Sequence, residues 1–209
     1  MTLRLNGSTS GYTEIDAPAV AGSNTLRLPT GNGSDGNILG TDGAGNLSWV
    51  NGRMVLETAK ATTSGTSIDF TGIPSWVKRI TVMLNEVSSN GSSALQVQLG
   101  TSSGFSNSGY TCNVGVISYG GGTVLNTATS GFFIPGGDAA TIKSGLLQLN
   151  LISGNTWLCN GNVLIRSWTY SDFIYGSATL SGTLDRLRLT TVNGTDTFDA
   201  GSINILYEG

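Results

Sequence analysis

The chain has 209 residues, of which only 11% are charged and 31 are glycine, with a formal net charge of -3 and no histidine. Ten basic residues face thirteen acidic ones and form no run longer than Lys78-Arg79, and no apolar run approaches the roughly 20 residues of a membrane-crossing helix, so neither nucleic-acid binding nor membrane insertion is expected. Low net charge combined with plentiful Leu and Val also excludes the disordered class, and the Gly, Asn and Ser content predicts an all-β chain with many tight turns.

Residues 1–15, "MTLRLNGSTSGYTEI", alternate weakly at Leu3, Leu5, Tyr12 and Ile15, which predicts one or two short extended pieces. No basic segment leads into an apolar core there, so a secretory signal is not expected and synthesis in a cytoplasm is. Residues 16–52 have neither helical period nor sustained alternation. Their apolar residues Val20, Leu26, Leu28, Ile38, Leu39, Leu47 and Trp49 are separated by Gly-, Ser- and Asn-rich links, too sparse to make a core in one chain. A polar linker is one reading. The other is a shaft in which three copies bury edges that one copy cannot. In the second reading residues 1–52 form a trimerising segment, and 53–209 a separate β domain.

From position 53 the chain becomes a train of short strands. "SWVKRITVMLNEV" places Ile80, Val82 and Leu84 in alternation after a change of phase at Lys78-Arg79. "ALQVQLGTS" sets Leu95, Val97 and Leu99 on one face and Gln96 and Gln98 on the other. Asn90-Gly91 between these two segments, and Asn160-Gly161 within "NTWLCNGNVLIRSWTYS", read as hairpin turns. "GLLQLNLIS" sets Leu147, Leu149 and Leu151 against Gln148 and Asn150, and Leu187 and Leu189 alternate with Arg186 and Arg188. About nine or ten strands at regular short spacing predict an antiparallel β-sandwich, jelly-roll-like.

Chemistry is sparse. Without histidine a Ser-His-Asp or Cys-His arrangement is impossible, and the thirteen acidic residues are scattered through turns, so catalysis is not expected. "GSDGN" and "TDGAGN" lack the ligand series of a calcium loop and the Lys of a phosphate loop. Cys112 and Cys159 read as small buried hydrophobes, and two thiols without histidine do not complete a zinc site. No cofactor or metal is expected. Asn6, Asn32, Asn90 and Asn193 stand in Asn-Gly-Ser/Thr triplets, read as turns. Tyr and Trp are the usual anchors of binding surfaces and stack on sugar faces, which makes "RSWTYSDFIY", with Trp168, Tyr170 and Tyr175, one candidate recognition cluster. In that reading Trp168 and Tyr170 share a face; in the competing one Trp168 and Phe173 fill the core. Tyr110 and Tyr119, in "SNSGYTCNVGVISYGGG", are further surface candidates.

Two segments carry a resemblance. Gly11-Tyr12, Ala17-Pro18, Ala21-Gly22 and Leu28-Pro29, followed by Gly33, Gly36, Leu39, Thr41-Asp42-Gly43, Gly45, Leu47 and Trp49, resemble the N-terminal or shaft segment of structural fibre proteins of tailed bacteriophages, cyanophages in particular. "TGIPSWVKRITVMLNEVSSNGSSALQVQLG" and "DRLRLTTVNGTDTFDAGSINILYEG" resemble a C-terminal domain of phage and prophage tail fibres. What the resemblance implies is a non-enzymatic, homotrimeric virion protein, made in the host cytoplasm. Its N-terminus would dock on other tail or capsid proteins, and its distal β domain would bind a host-surface receptor, a glycan or a protein. The expected attachment and trimer residues are Tyr12, Ile15, Leu26, Leu28, Ile38, Leu39, Leu47 and Trp49. A capsid-attached head fibre or decoration protein, or a glycan-degrading spike, would carry similar sequence texture.

Overall fold

The computed structural model describes residues 3–34, 37–52, 54–117, 123–136, 138–139, 141–166 and 170–209. Among them are eighteen strands and no helix. The chain divides into two compact units, Met1–Gly52 and Arg53–Gly209.

The first unit is built from two hairpins. In the first, β1 (Leu3–Asn6) pairs with β2 (Tyr12–Ile15) so that Leu3 stands opposite Ile15 and Arg4 opposite Glu14. Alternation puts Leu3, Leu5 and Ile15 on one face. On the other face the Arg4 guanidinium lies 3.9 Å over the Tyr12 ring and pairs with Glu14 at 2.5 Å. The second hairpin joins β3 (Asn37–Thr41) to β4 (Leu47–Asn51), with Leu39 opposite Trp49 and Ile38 opposite Val50. Its turn is closed by Asp42, whose carboxylate accepts the N–H groups of Ala44 (2.8 Å) and Asn46 (3.1 Å) and the Asn46 side-chain amide (2.6 Å). Those donors, the Asn46 side chain first, hold the Asp42 pKa below its ordinary value. The Trp49 indole N–H donates to Gly31 O at 2.9 Å, and Gly33 (φ +70°) lies so close to the ring that a Cβ there would fall 2.8 Å from it.

The second unit runs from β5 (Met54–Leu56), β6 (Lys60–Ala61), β7 (Ser67–Thr71), β8 (Arg79–Ser89), β9 (Leu95–Thr101), β10 (Gly104–Phe105), β11 (Tyr110–Ile117), β12 (Thr123–Ala128) and β13 (Phe132–Ile134) to β14 (Lys143–Ser153), β15 (Thr156–Ile165), β16 (Tyr170–Thr179), β17 (Arg186–Thr191) and β18 (Phe198–Glu208). All pairings are antiparallel. The larger sheet has the order β12-β11-β16-β15-β14-β8-β18-β5, with β6 also on β18; the smaller has the order β10-β9-β17-β7, with β13 also on β9. The inward rows of both sheets close on one core that includes Ile80, Val82, Leu147, Leu149 and Ile174 from the larger sheet and Val97, Leu99, Phe132, Leu187 and Leu189 from the smaller. The very short strands carry too few residues to show alternation, which is why more strands exist than the sequence reading expects.

Two turn expectations are corrected. Asn90-Gly91 is no hairpin: it carries the chain from β8 in one sheet to β9 in the other. It is held from outside, since Thr197 N–H donates to Asn90 Oδ1 at 2.9 Å and Ser93 N–H donates to Asp196 Oδ2 at 2.9 Å. Asn160-Gly161 lies inside the unbroken strand β15, whose turn back to β14 is at Gly154 and Asn155. Glycine is needed there for packing, because a Cβ on Gly161 would stand 2.5 Å from Leu146 O and 2.9 Å from Leu147 Cα.

The outer face of β9 is also drier than alternation implies. Gln96 and Gln98 are buried. Gln98 Nε2 donates to Ser130 O at 2.9 Å and Ser130 Oγ donates to Gln96 Oε1 at 3.0 Å, so the β12–β13 connection lies over this face and satisfies the amides it covers.

Candidate functional site

The strand register assembles one surface that no single segment displays. Across the outer face of the larger sheet, Thr81 (β8), Gln148 (β14), Asn160 (β15), Tyr175 (β16) and Asn113 (β11) stand in one row, each directly opposite the next. The neighbouring row holds Met83, Leu146, Asn162, Phe173 and Gly115. The outward positions of β11, β14, β15 and β16 carry no charged residue. Among the described residues the ion pairs of this sheet stand towards its margins, Arg79 with Glu208 at 2.5 Å and Arg166 with Glu86. Tyr175 is 55% exposed.

A groove of about 500 Å³ runs through this face, lined by Thr81, Gly145, Leu146, Gln148, Asn160, Gly161 and Asn162. Beneath it the inward rows contain a diagonal of glycines. Gly145 stands beside Val163, Gly161 beside Leu147 and Ile174, and Gly176 between Cys159 and Cys112, one row further on in each successive strand. A Cβ on Gly145, Gly161 or Gly176 would lie 2.2, 2.5 or 2.4 Å from a backbone oxygen of the adjacent strand. The three strands therefore approach along a line that only glycine permits.

Behind that face lies a buried polar pair. Lys143 on β14 and Asp172 on β16 flank β15 in adjacent inward rows, and their exposures are 2% and 1%. Burial pulls the Lys143 pKa down to about 8 and pushes that of Asp172 up to about 6, each effect partly offset by the charge of the other. Asp172 Oδ2 and the Oγ1 of Thr141, two residues before Lys143, are both buried without a hydrogen-bond partner among the described residues. Sequence reasoning missed this pair because Asp172 sits inside an aromatic run and Lys143 next to a turn. Only a strict two-residue alternation from Ile174 back to Asp172 could have marked it as inward.

Of the recognition residues expected from sequence, the side chains of Tyr110 and Tyr175 are described, and Tyr175 is the surface group of the two. Tyr110 is corrected: it is 3% exposed, packs edge-to-face on Phe132 at 5.2 Å, and its hydroxyl accepts the Leu99 N–H at 2.6 Å. Desolvation pushes its pKa up to about 12. Tyr170 opens β16 with its backbone opposite Ile165, and its side chain lies outside the described residues. Phe173 lies on the outer face beside Asn162, not in the core. Tyr119 and Trp168 lie outside the described residues.

Cys112 and Cys159 are buried free thiols on either side of Gly176. Burial raises both pKa values, that of Cys159 well above its ordinary value. Among the described residues no cluster of Cys, Asp and Glu could hold a metal ion. In the first unit, Tyr12, Ile15, Leu26, Leu28, Ile38, Leu39 and Trp49 are exposed and Leu47 is half-buried. Val20 is 91% exposed.

Comparison with protein families, with curated proteins and with solved structures finds no match for this chain.

Proposed function

We propose that this chain is a fibre or spike protein of a tailed bacteriophage particle, a homotrimer that docks on other virion proteins through residues 1–52 and binds a host-surface receptor, a glycan in the first instance, through a jelly-roll-like β-sandwich knob. The observation that carries the reading is the apolar surface of the first unit. Leu3, Leu5, Ile15, Ile38, Leu39 and Val50 are exposed on thin two-stranded hairpins, and Leu26 and Leu28 are exposed on the segment between them. Each such side chain taken out of water contributes about 1.5–3 kcal/mol, and isolated two-stranded hairpins are marginal by themselves. Symmetry copies of the same segment supply the missing cover most simply.

Receptor binding rests on the exposed, uncharged face around Tyr175 and on multivalency. Three sites on one knob, repeated over several fibres, give avidity from individually weak contacts. The role proposed for the knob is adhesion.

Sedimentation equilibrium on the full-length protein tests the assembly. A mass three times that of the chain is expected, and a monomer at micromolar concentration overturns the reading. Adsorption of labelled protein to susceptible cells tests the receptor role.

A further inference from the structure

We propose that the groove on the outer face of the larger sheet is a binding site for an uncharged saccharide, held by the side-chain amides of Gln148, Asn160 and Asn162 and by the Tyr175 ring. This rests on the receptor-binding reading above and names the ligand class and the place.

The amides are the first argument. Asn is depleted in strands because its side chain competes for backbone hydrogen bonds, yet Asn160 and Asn162 occupy the middle of β15. Some side-chain amides elsewhere are engaged within the protein, Gln98 on Ser130, Asn193 on Asp196 and Asn204 on Glu57, while Asn113 and Asn150 on this same outer face make no side-chain hydrogen bond among the described residues. Gln148, Asn160 and Asn162 make no side-chain hydrogen bond among the described residues, although they line one groove. Each presents an acceptor oxygen and two donor hydrogens, which is the complement a vicinal pair of sugar hydroxyls requires.

The second argument is shape and polarity. The groove of about 500 Å³ is of the size that takes a small oligosaccharide segment, and Leu146 and Tyr175 flank the amides with apolar surface. A pyranose offers the same combination, polar at its edge and apolar on its C–H face, and an exposed Tyr ring suits the latter. Because β11, β14, β15 and β16 present no charge here, and Arg79, two residues from Thr81 on β8, is paired with Glu208, the groove residues offer no free charge to compensate the desolvation of a carboxylate or sulfate. The face therefore selects neutral over acidic glycans. A second copy of the chain fits it less well, since packing copies together would bury these amides at the centre of the interface.

The test uses the full-length protein on an array of immobilised oligosaccharides, neutral hexose and N-acetylhexosamine oligomers on one side, sialylated and uronate-containing ones on the other. Binding to one or more neutral members is expected, with acidic members silent. Asn160→Leu, Gln148→Leu and Tyr175→Ala should each weaken that binding roughly tenfold or more without changing the sedimentation mass. Preference for acidic glycans, or variants that bind like the parent, overturns the proposal. A fall in oligomer mass for Asn160→Leu overturns it as well and makes the face an interface between copies. If the parent adsorbs to cells but recognises no neutral glycan, this proposal fails while the receptor reading stands; if it does neither, both fail.

Discussion

The Tyr110 hydroxyl bridges the two sheets of the sandwich by bonding the backbone of Leu99. It accepts the Leu99 N–H at 2.6 Å and lies 3.3 Å from the Leu99 carbonyl. On that edge of β9, β13 pairs only as far as Val97 and β10 pairs only with Gly100 and Thr101, so the Leu99 N–H falls in the gap between two partners. A side chain from the opposite sheet fills a place that no strand occupies. Tyr110→Phe keeps the ring on Phe132 but leaves a buried donor unpaired, and a loss of about 1–3 kcal/mol in urea unfolding is expected. An unchanged midpoint would show that the hydroxyl contributes nothing to closing the sandwich.

The buried pair Lys143 and Asp172 gives stability a characteristic pH profile. In an unfolded chain the two groups titrate near about 10.4 and 3.9. Asp172, raised to about 6, makes the folded state hold more protons than the unfolded between pH 4 and 6, so its contribution falls as pH rises through that window. Lys143, lowered to about 8, makes the unfolded state hold more protons between pH 8 and 10, so its contribution rises there. Between pH 6 and 8, with both charged, the pair is least favourable. Lys143→Met alone should cost about 3–5 kcal/mol at pH 7 and less at pH 5, where a protonated Asp172 is tolerated. The double variant Lys143→Met, Asp172→Leu should be neutral or more stable by about 1–4 kcal/mol at pH 7. Denaturation at pH 5, 7 and 9 separates these outcomes; parallel profiles for parent and double variant would refute the account.

The glycine diagonal distinguishes two substitutions of the same kind. Gly161→Ala brings a methyl group against the backbone of β14, which cannot move without displacing the core leucines, and about 1–3 kcal/mol or more is expected to be lost. Gly115→Ala enters open space and should lie within about 0.5 kcal/mol of the parent. Thermal unfolding of the pair is the measurement, and equal midpoints would mean that the strands tolerate wider spacing along the diagonal.

Burial of both thiols predicts their chemistry. Neither Cys112 nor Cys159 should react with a thiol-specific disulfide reagent at pH 8 in the native protein, and both should react after unfolding. A fast-reacting thiol in the native state would contradict the core placement.

Ile15→Asp probes the apolar face shared with Leu3 and Leu5. In a single chain this face touches little, so the substitution should leave the unfolding of the β-sandwich unchanged while reducing the oligomer mass at low micromolar concentration. An unaltered mass would remove this face from the assembly.

Much of the fold is legible in the residues because it depends on local pattern. Ile80, Val82 and Leu84, or Leu147 and Leu149, alternate with polar residues, and a two-residue period leaves one face to bury. The absence of a helical period and the wealth of Gly, Asn and Ser between such runs determine that the chain is all-β. What the sequence could not determine is which strand lies beside which. Asn90-Gly91 has hairpin chemistry but crosses between sheets, Asn160-Gly161 has it inside a strand, and the Gln96 face is covered by a loop more than thirty residues away; each outcome is set by non-local pairing that competes with local propensity. The same holds for function. Thr81, Gln148, Asn160 and Tyr175 are unremarkable along the chain and become neighbours only through the register of four antiparallel strands, while Tyr110 reads as a surface ring and is placed in the core by the sheet it faces. Hydrophobic alternation determines what is buried, but hydrogen-bond register, a property of the assembled sheet, decides which side chains meet.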